Sequence, residues 1–137
     1  MEFGSAQEAE TAFYAAFQMS DLEGMILVWD DHDAVCIHPF GERIEGKSAI
    51  RQSWQAIFAH DVRLRFTLSD PWVFSGDSHA IHLVRENINV DESEGVKTMV
   101  VLATNVYRRF DDGWRMILHH ASPAPADSNA VAVGRMH

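Results

Sequence analysis

The sequence predicts an α+β domain in which three N-terminal helices pack on a strongly curved, mostly antiparallel sheet. Three observations predict it. Apolar residues recur at helical spacing up to Phe58. Four long segments after residue 61 alternate apolar and polar side chains. Turns rich in glycine and aspartate separate those segments. A curved sheet closing over helices is expected to leave a conical cavity, the kind of hollow small molecules favour.

The first helix is read from Ala9, Ala12, Phe13, Ala16 and Phe17, with Ser5 and Glu8 at capping-box spacing. Ser20 and Glu23 have the same spacing and are expected to start a short second helix. Its buried side is Leu22, Met25, Ile26 and Trp29, and the acidic loop Asp30-Asp31-His32-Asp33 ends it. A short strand follows at Ala34 to His38, stopped by Pro39 and Gly41, with Arg43 to Glu45 as its partner. The third helix starts after Gly46 and places Ile50, Trp54, Ile57 and Phe58 on one side.

The strands come next. Val62, Leu64, Phe66 and Leu68 alternate with Arg63, Arg65, Thr67 and Ser69, and Pro71 should bend or end that strand. A turn at Ser75 to Ser78 leads to a strand at 79–90. A turn at Asp91 to Gly95 leads to one at 96–110. Asp111-Asp112-Gly113 joins it tightly to a last strand at 114–122. The domain is therefore placed at 6–122. The Glu-Phe and Gly-Ser pairs within 1–5 read as candidate cloning remnants, and 123–137 reads as a loose tail.

Composition bounds the function. The chain has 137 residues, 47% apolar and 23% charged, which suits one globular domain. No apolar run approaches the roughly 20 residues of a membrane span, and the acidic start does not read as a secretory signal. The formal net charge is −9, and residues 1–42 carry it all, since no lysine or arginine precedes Arg43. Neither nucleic acid nor an anionic membrane surface is an expected partner for such a face. The single cysteine, Cys36, lies in an apolar run and reads as a buried inert thiol in a cytoplasmic protein, the alternative being a nucleophile with His38 as its basic neighbour on the same strand face. Ile81, Leu83, Met99 and Val101 are read as a second apolar sheet face, which predicts a homodimer.

Several residues could carry chemistry. His38, ending the first strand, can take and return a proton near neutrality, or can be a satisfied structural histidine. Glu86 stands between Val84 and Ile88 on an apolar strand face that His82 shares. It must have a raised pKa or a partner, for which Arg108 and Arg109 are the candidates. His119 and His120 point to opposite faces. His120, in alternation with Trp114, Met116 and Leu118, is preferred for the cavity. Trp29, Trp54 and Phe58 read as core, with a part in the pocket wall. Asp30, Asp31 and Asp33 lack the glycine and glutamate of a calcium loop, and neither a histidine pair nor a cysteine cluster has zinc-ligand spacing. No metal and no cofactor are expected.

Certain stretches carry a resemblance. Asp21-Leu22-Glu23-Gly24, the run Ala34 to Gly41, Gly46-Lys47-Ser48-Ala49-Ile50 and Trp114 to His120 resemble the nuclear transport factor 2-like superfamily. The similarity is greatest to the SnoaL-like proteins and the ketosteroid isomerase relatives, and it covers about 6–122. It implies a cystatin-like α+β roll. By position, His38 before Pro39 stands where those isomerases carry a catalytic aspartate. Asn105 stands in place of their second acid, and Trp54 matches a pocket aromatic. Phe13 or the adjacent Tyr14 occupies the place of their oxyanion tyrosine. These replacements argue against steroid isomerisation.

Three readings remain open at this level. One is a cofactor-free acid/base catalyst (isomerase, cyclase or dehydratase) with His38, Glu86, Asn105 and His120 around a small, apolar, oxygen-bearing substrate. Phe13, Tyr14, Trp29, Trp54, Phe58 and His82 would line its site. The second is a non-catalytic binder, and the third an oligomerisation module of the same shape.

Overall fold

The computed structural model describes residues 2–60, 64–92 and 94–125. Helices α1 (Ala6–Met19), α2 (Leu22–Val28) and α3 (Lys47–Phe58) lie on one face of a six-stranded sheet. The strands are β1 (Val35–Ile37), β2 (Ile44–Glu45), β3 (Leu64–Ser75), β4 (His79–Glu92), β5 (Gly95–Phe110) and β6 (Gly113–Pro123). Their spatial order is β2-β1-β6-β5-β4-β3. Among the five pairs of described strands, only β1–β6 is parallel. The expected class and element order are those observed. Val62 and Arg63, placed in the third strand by alternation, lie outside the described residues.

Local chemistry sets the helix ends. The Ser5 hydroxyl accepts from the Glu8 amide at 3.1 Å, and the Glu8 carboxylate accepts from the Gly4 amide at 2.9 Å. Glu8 therefore closes its box one residue earlier than a standard capping box would. At α2 the cap is Asp21, not Ser20: its carboxylate accepts from the Gly24 amide at 3.1 Å. Ser20 is already committed to ending α1 in the left-handed conformation, with φ 53°. The acidic loop after α2 is built around buried Asp30, whose carboxylate accepts from the amides of His32 and Asp33.

Two bulges bend the sheet. In β3 the pairing slips between Ser69 and Trp72, where Asp70 has φ 52° and Pro71 cannot donate to the ladder. In the β5–β6 pair, Val106 faces Leu118 but Tyr107 faces Met116, so Ile117 is an extra residue. That insertion reverses the alternation of β6 beyond it. Met116 and His119 both point at the helices as a result, and both are buried.

Between helices and sheet the core is filled by aromatic and sulfur side chains. Phe13, Met25, Trp29, Trp54, Tyr107 and Met116 are fully buried there. Phe13 makes edge-on contacts with Trp29 and Trp54, at ring-centre distances of 6.3 and 5.7 Å. The second sheet face needs correcting. Ile81 and Leu83 do face outward. Val101 pairs with Glu86 and Met99 with Ile88, so both are on the helix side, and Val101 is buried. Trp72 and Leu102 join Leu83 on the outward side, around an open hollow of about 400 Å³.

The N-terminal residues are integrated into the fold. Phe3 is buried, and its carbonyl accepts from the Trp114 amide at 2.9 Å. At the other end Pro123 still pairs with Val101, so β6 runs one residue past the expected boundary. Residues 126–137 of the expected tail lie outside the described set.

Gly113, in the β5–β6 turn, has φ 127°, and a Cβ there would sit 2.8 Å from the Phe3 carbonyl oxygen. Gly113→Val is therefore expected to destabilise the fold by about 1–3 kcal/mol. Denaturant melts of the two proteins check this, and equal midpoints would contradict it.

Candidate functional site

Sheet register builds the site. His82 on β4, Asn105 on β5 and His119 on β6 are direct cross-strand partners, so they form one row on the helix-facing side. Glu86 lies on the same face of β4, four residues along. Helix α1 lies over this row and presents Glu10 and Tyr14, one turn apart on its buried side. Tyr107, two residues after Asn105, completes the set.

These seven side chains are 0–7% exposed and bond to one another. One oxygen of Glu10, Oε2, accepts three hydrogen bonds. They come from Tyr107 Oη at 3.0 Å, Asn105 Nδ2 at 3.3 Å and His82 Nδ1 at 3.0 Å. Asn105 Nδ2 also donates to Tyr14 Oη at 3.0 Å, and the Tyr14 hydroxyl donates to Glu86 Oε2 at 2.7 Å. His119 Nδ1 donates to Asn105 Oδ1 at 2.6 Å.

Burial decides which of these groups hold protons. It pushes the Glu86 carboxyl up to about 7, with the Glu10 charge adding to the rise and the Tyr14 hydrogen bond opposing it. Burial, reinforced by the Glu86 charge, keeps Tyr14 protonated well above the ordinary tyrosine range, and burial together with Glu10 does the same for Tyr107. Burial pushes His119 down to about 3, so its ring is neutral at working pH.

His38 stands apart from this array. It is half-buried against Trp54, with ring centres 4.8 Å apart, and its Nε2 lies 3.0 Å from Ser53 Oγ. Burial lowers its pKa, so the ring is neutral; the Ser53 hydroxyl donates to the Ile50 carbonyl at 2.7 Å, so His38 Nε2–H donates to Ser53 Oγ. Trp54 also approaches His119, at 6.2 Å between ring centres, and so bridges the two histidines. Cys36 is adjacent, with its sulfur 3.6 Å from His38 Nε2, but burial raises its thiol to about 12 and removes it as a nucleophile.

The structure brings together Tyr14, His82, Glu86 and Asn105 from the sequence-based set, and packs Phe13 against Tyr14, with Trp29 and Trp54 on Phe13 and Phe58 beyond Trp54. His120 is not among them. The Ile117 bulge turns it to the outer sheet face, where it lines the hollow with Trp72 and Thr104, and His119 takes the inward place. Glu86 has Tyr14 as its donor rather than an arginine, since Arg108 reaches Asp33 at 3.6 Å and Arg109 is exposed. Of Phe13 and Tyr14, it is Tyr14 that carries its hydroxyl into the array. Sequence reasoning missed Glu10, Ser53 and Tyr107. The signal for Glu10 was an acid inside the apolar stripe of α1, between Ala9 and Phe13. Tyr107 was marked by its alternation with Asn105.

Two further features bear on ligands. The indole N–H groups of Trp29 and Trp54 are buried and have no acceptor among the described residues. Half-buried Phe17, Phe58 and Phe66 extend the aromatic cluster from Trp54 and Tyr14 toward the surface between α1, α3 and β3. Among the described residues no group of histidine, cysteine, aspartate and glutamate side chains is arranged to hold a metal ion. No described helix is long and apolar enough to cross a membrane.

A roll of three helices on this sheet, enclosing such an array, is an NTF2-like domain. A model of the SnoaL-like domain matches residues 7–127, and the chain belongs to that family. Among solved structures, a proposed calcium/calmodulin-dependent protein kinase type II association domain from Thiobacillus denitrificans is 37% identical. That match covers 91% of this chain and 99% of that one, with a TM-score of 0.84. A proposed dehydratase of the NTF2-like family from Streptomyces avermitilis is 29% identical over 89% of this chain and 96% of its own, with a TM-score of 0.81. The F-box protein SKIP8 of Arabidopsis thaliana is 29% identical over 90% of this chain, which spans 51% of that protein, about half its length.

The Glu86 shift has a stability consequence with a definite sign. A carboxyl raised from 4.5 to about 7 favours the fold below pH 4.5, and loses that contribution as pH rises to about 7. Glu86→Gln, which cannot ionise, should gain melting temperature relative to wild type as pH increases through that window. Paired melts at pH 4.5, 6 and 8 check this, and a pH-independent difference would contradict it.

Proposed function

We propose that this chain binds a small, largely apolar, oxygen-bearing molecule and acts on it as a cofactor-free acid/base catalyst. The observation that carries the reading is Glu86: a carboxyl buried under α1, bonded by Tyr14 and titrating near neutrality. A group with that titration can hold and release a proton at working pH, which is what general acid catalysis needs. Neutral His38, on the other side of Trp54, supplies the complementary base through its Nδ1 lone pair, since Nε2–H donates to Ser53 Oγ.

The division of labour follows from which groups are free to act. Both ends of the Asn105 amide are committed to protein partners, so Asn105 acts through Tyr14 rather than on substrate. His119 takes the role first assigned to His120. The substrate would enter past Phe17, Phe58 and Phe66 by parting the packed aromatic cluster, and its oxygen would accept from the Trp54 indole. The unpaired state of that indole supports the placement, since a buried donor without an acceptor costs about 1–3 kcal/mol. A proton shift, ring closure or dehydration fits an acid and a base flanking one aromatic wall. The neighbour described as a proposed dehydratase supports this class.

A panel of small apolar ketones and hydroxy compounds, screened by tryptophan quenching and product formation, tests the reading. His38→Ala is expected to lower turnover about 10²–10⁴-fold with the fold intact. Unchanged turnover in that variant would remove His38 as the base. Quenching without product across the panel would leave a binder, not an enzyme.

A specific observation favours a second role for the opposite face. Trp72 is 55% exposed and Leu83 and Leu102 about 40%, side by side on one sheet surface. We infer that two copies pair through it about a two-fold axis. Sedimentation at micromolar concentration should give a dimer, and Leu83→Arg should shift it to monomer. A monomeric wild type would overturn the inference.

A further inference from the structure

We propose that Glu10 is the positioning residue of the buried array: by accepting three hydrogen bonds at one oxygen it sets the direction of every hydrogen bond from His119 to Glu86. The proposal deepens the acid/base reading above and rests on it for its functional meaning, but its physical content is independent of any substrate.

The argument runs on donor and acceptor inventory. A carboxylate oxygen has no proton to give, so the group of Asn105 that faces Glu10 Oε2 at 3.3 Å must be its NH₂. That choice fixes the rest. The NH₂ also reaches Tyr14 Oη at 3.0 Å, so the tyrosine oxygen is an acceptor on that side. Its single proton is then left for Glu86 Oε2 at 2.7 Å. The other end of the Asn105 amide is its oxygen, which faces His119 Nδ1 at 2.6 Å. A carbonyl oxygen can only accept, so the His119 proton sits on Nδ1 and Nε2 keeps its lone pair. One buried carboxylate thus selects an amide orientation, a hydroxyl direction and an imidazole tautomer.

The surroundings reinforce Glu10. Tyr107 from β5 and His82 from β4 donate to the same oxygen, at 3.0 Å each, and clamp it from the sheet side. The polar groups that face Glu86 are Tyr14 and Glu10 from α1 and Tyr107 from β5. The negative charge of Glu10 adds to the effect of burial on Glu86, so the residue that aims the Tyr14 proton also favours the protonated form of its acceptor.

The experiment is nitrogen NMR of the histidine rings in the ligand-free protein at pH 7, with carbon NMR of the Glu86 carboxyl through a pH series. In wild type His119 should give the signature of a single Nδ1–H tautomer. A wild type in the Nε2–H form, or in a mixture, overturns the proposal. In Glu10→Gln the side chain at 10 can present either its oxygen or its NH₂. Asn105 is then free to turn over, and His119 should become a mixture of tautomers. The Glu86 midpoint should fall by about one pH unit as the neighbouring charge is lost. A folded Glu10→Gln with a pure Nδ1–H ring and an unmoved midpoint also overturns it. Tyr14→Phe supplies a check that does not depend on Glu10→Gln folding. It deletes the other acceptor of the Asn105 NH₂ and leaves Glu10 in place, so His119 should stay Nδ1–H. A switch of tautomer there would assign the orienting role to Tyr14. Because no ligand is used, failure here is distinct from failure of the acid/base reading, which shows only in turnover and quenching.

Discussion

Three donors converging on one oxygen of Glu10 is the interaction on which the interior depends. A carboxylate taken out of water must be met by hydrogen bonds, or the burial costs more than a small domain can offset. Here a helix supplies the carboxylate and two strands supply the donors, so α1 cannot shift along the sheet without breaking several bonds at once. An apolar contact between the same elements would tolerate sliding. The polar one fixes register, which is the role buried polar groups fill best.

From that constraint the division of the core follows. One part, around Phe13, Trp29 and Trp54, is aromatic and holds two indole donors without protein acceptors. The other, around Glu10, Asn105 and Tyr14, is polar, and its hydrogen bonds run between its own members. His119 is common to both. It packs at 4.9 Å from Phe13 and bonds to Asn105, so it joins the dry wall to the hydrogen-bonded row. Its neutral state follows from the same position, since neither neighbour would compensate a cation.

Much of the fold was legible because it rests on periodicity and punctuation. Helical spacing in α1 and α3, strict alternation in β4 and β5, and Gly113 after two aspartates each have a single structural solution. The candidate site was legible only where alternation runs unbroken, as at His82, Glu86 and Asn105. It failed at His120, where Ile117 is inserted opposite a regular strand and every side chain beyond it changes face. A bulge of that kind leaves no mark in a sequence of mixed apolar residues. Met99 and Val101 went to the wrong face for a related reason. Apolar residues occur on both sides of β5, and only the pairing with Glu86 and Ile88 shows which side each serves. Glu10 was hidden by the expectation that an acid on a helix faces water, and Ser20 by a capping pattern that Asp21 satisfies one residue later.

The seating of Phe3 beside Trp114 couples parts of the chain that are distant in sequence. Two residues beyond it Ser5 caps α1, and five residues further on Glu10 enters the array. A helix is stiff over such a distance, rising about 1.5 Å per residue, so displacement at its first turn is carried inward almost undiminished. The β5–β6 hairpin therefore works as an anchor post and α1 as a lever arm, with the proton-bearing groups at the working end. Extensions fused ahead of residue 3 would act on that lever, so their effect would be felt at the buried array as well as at the anchor.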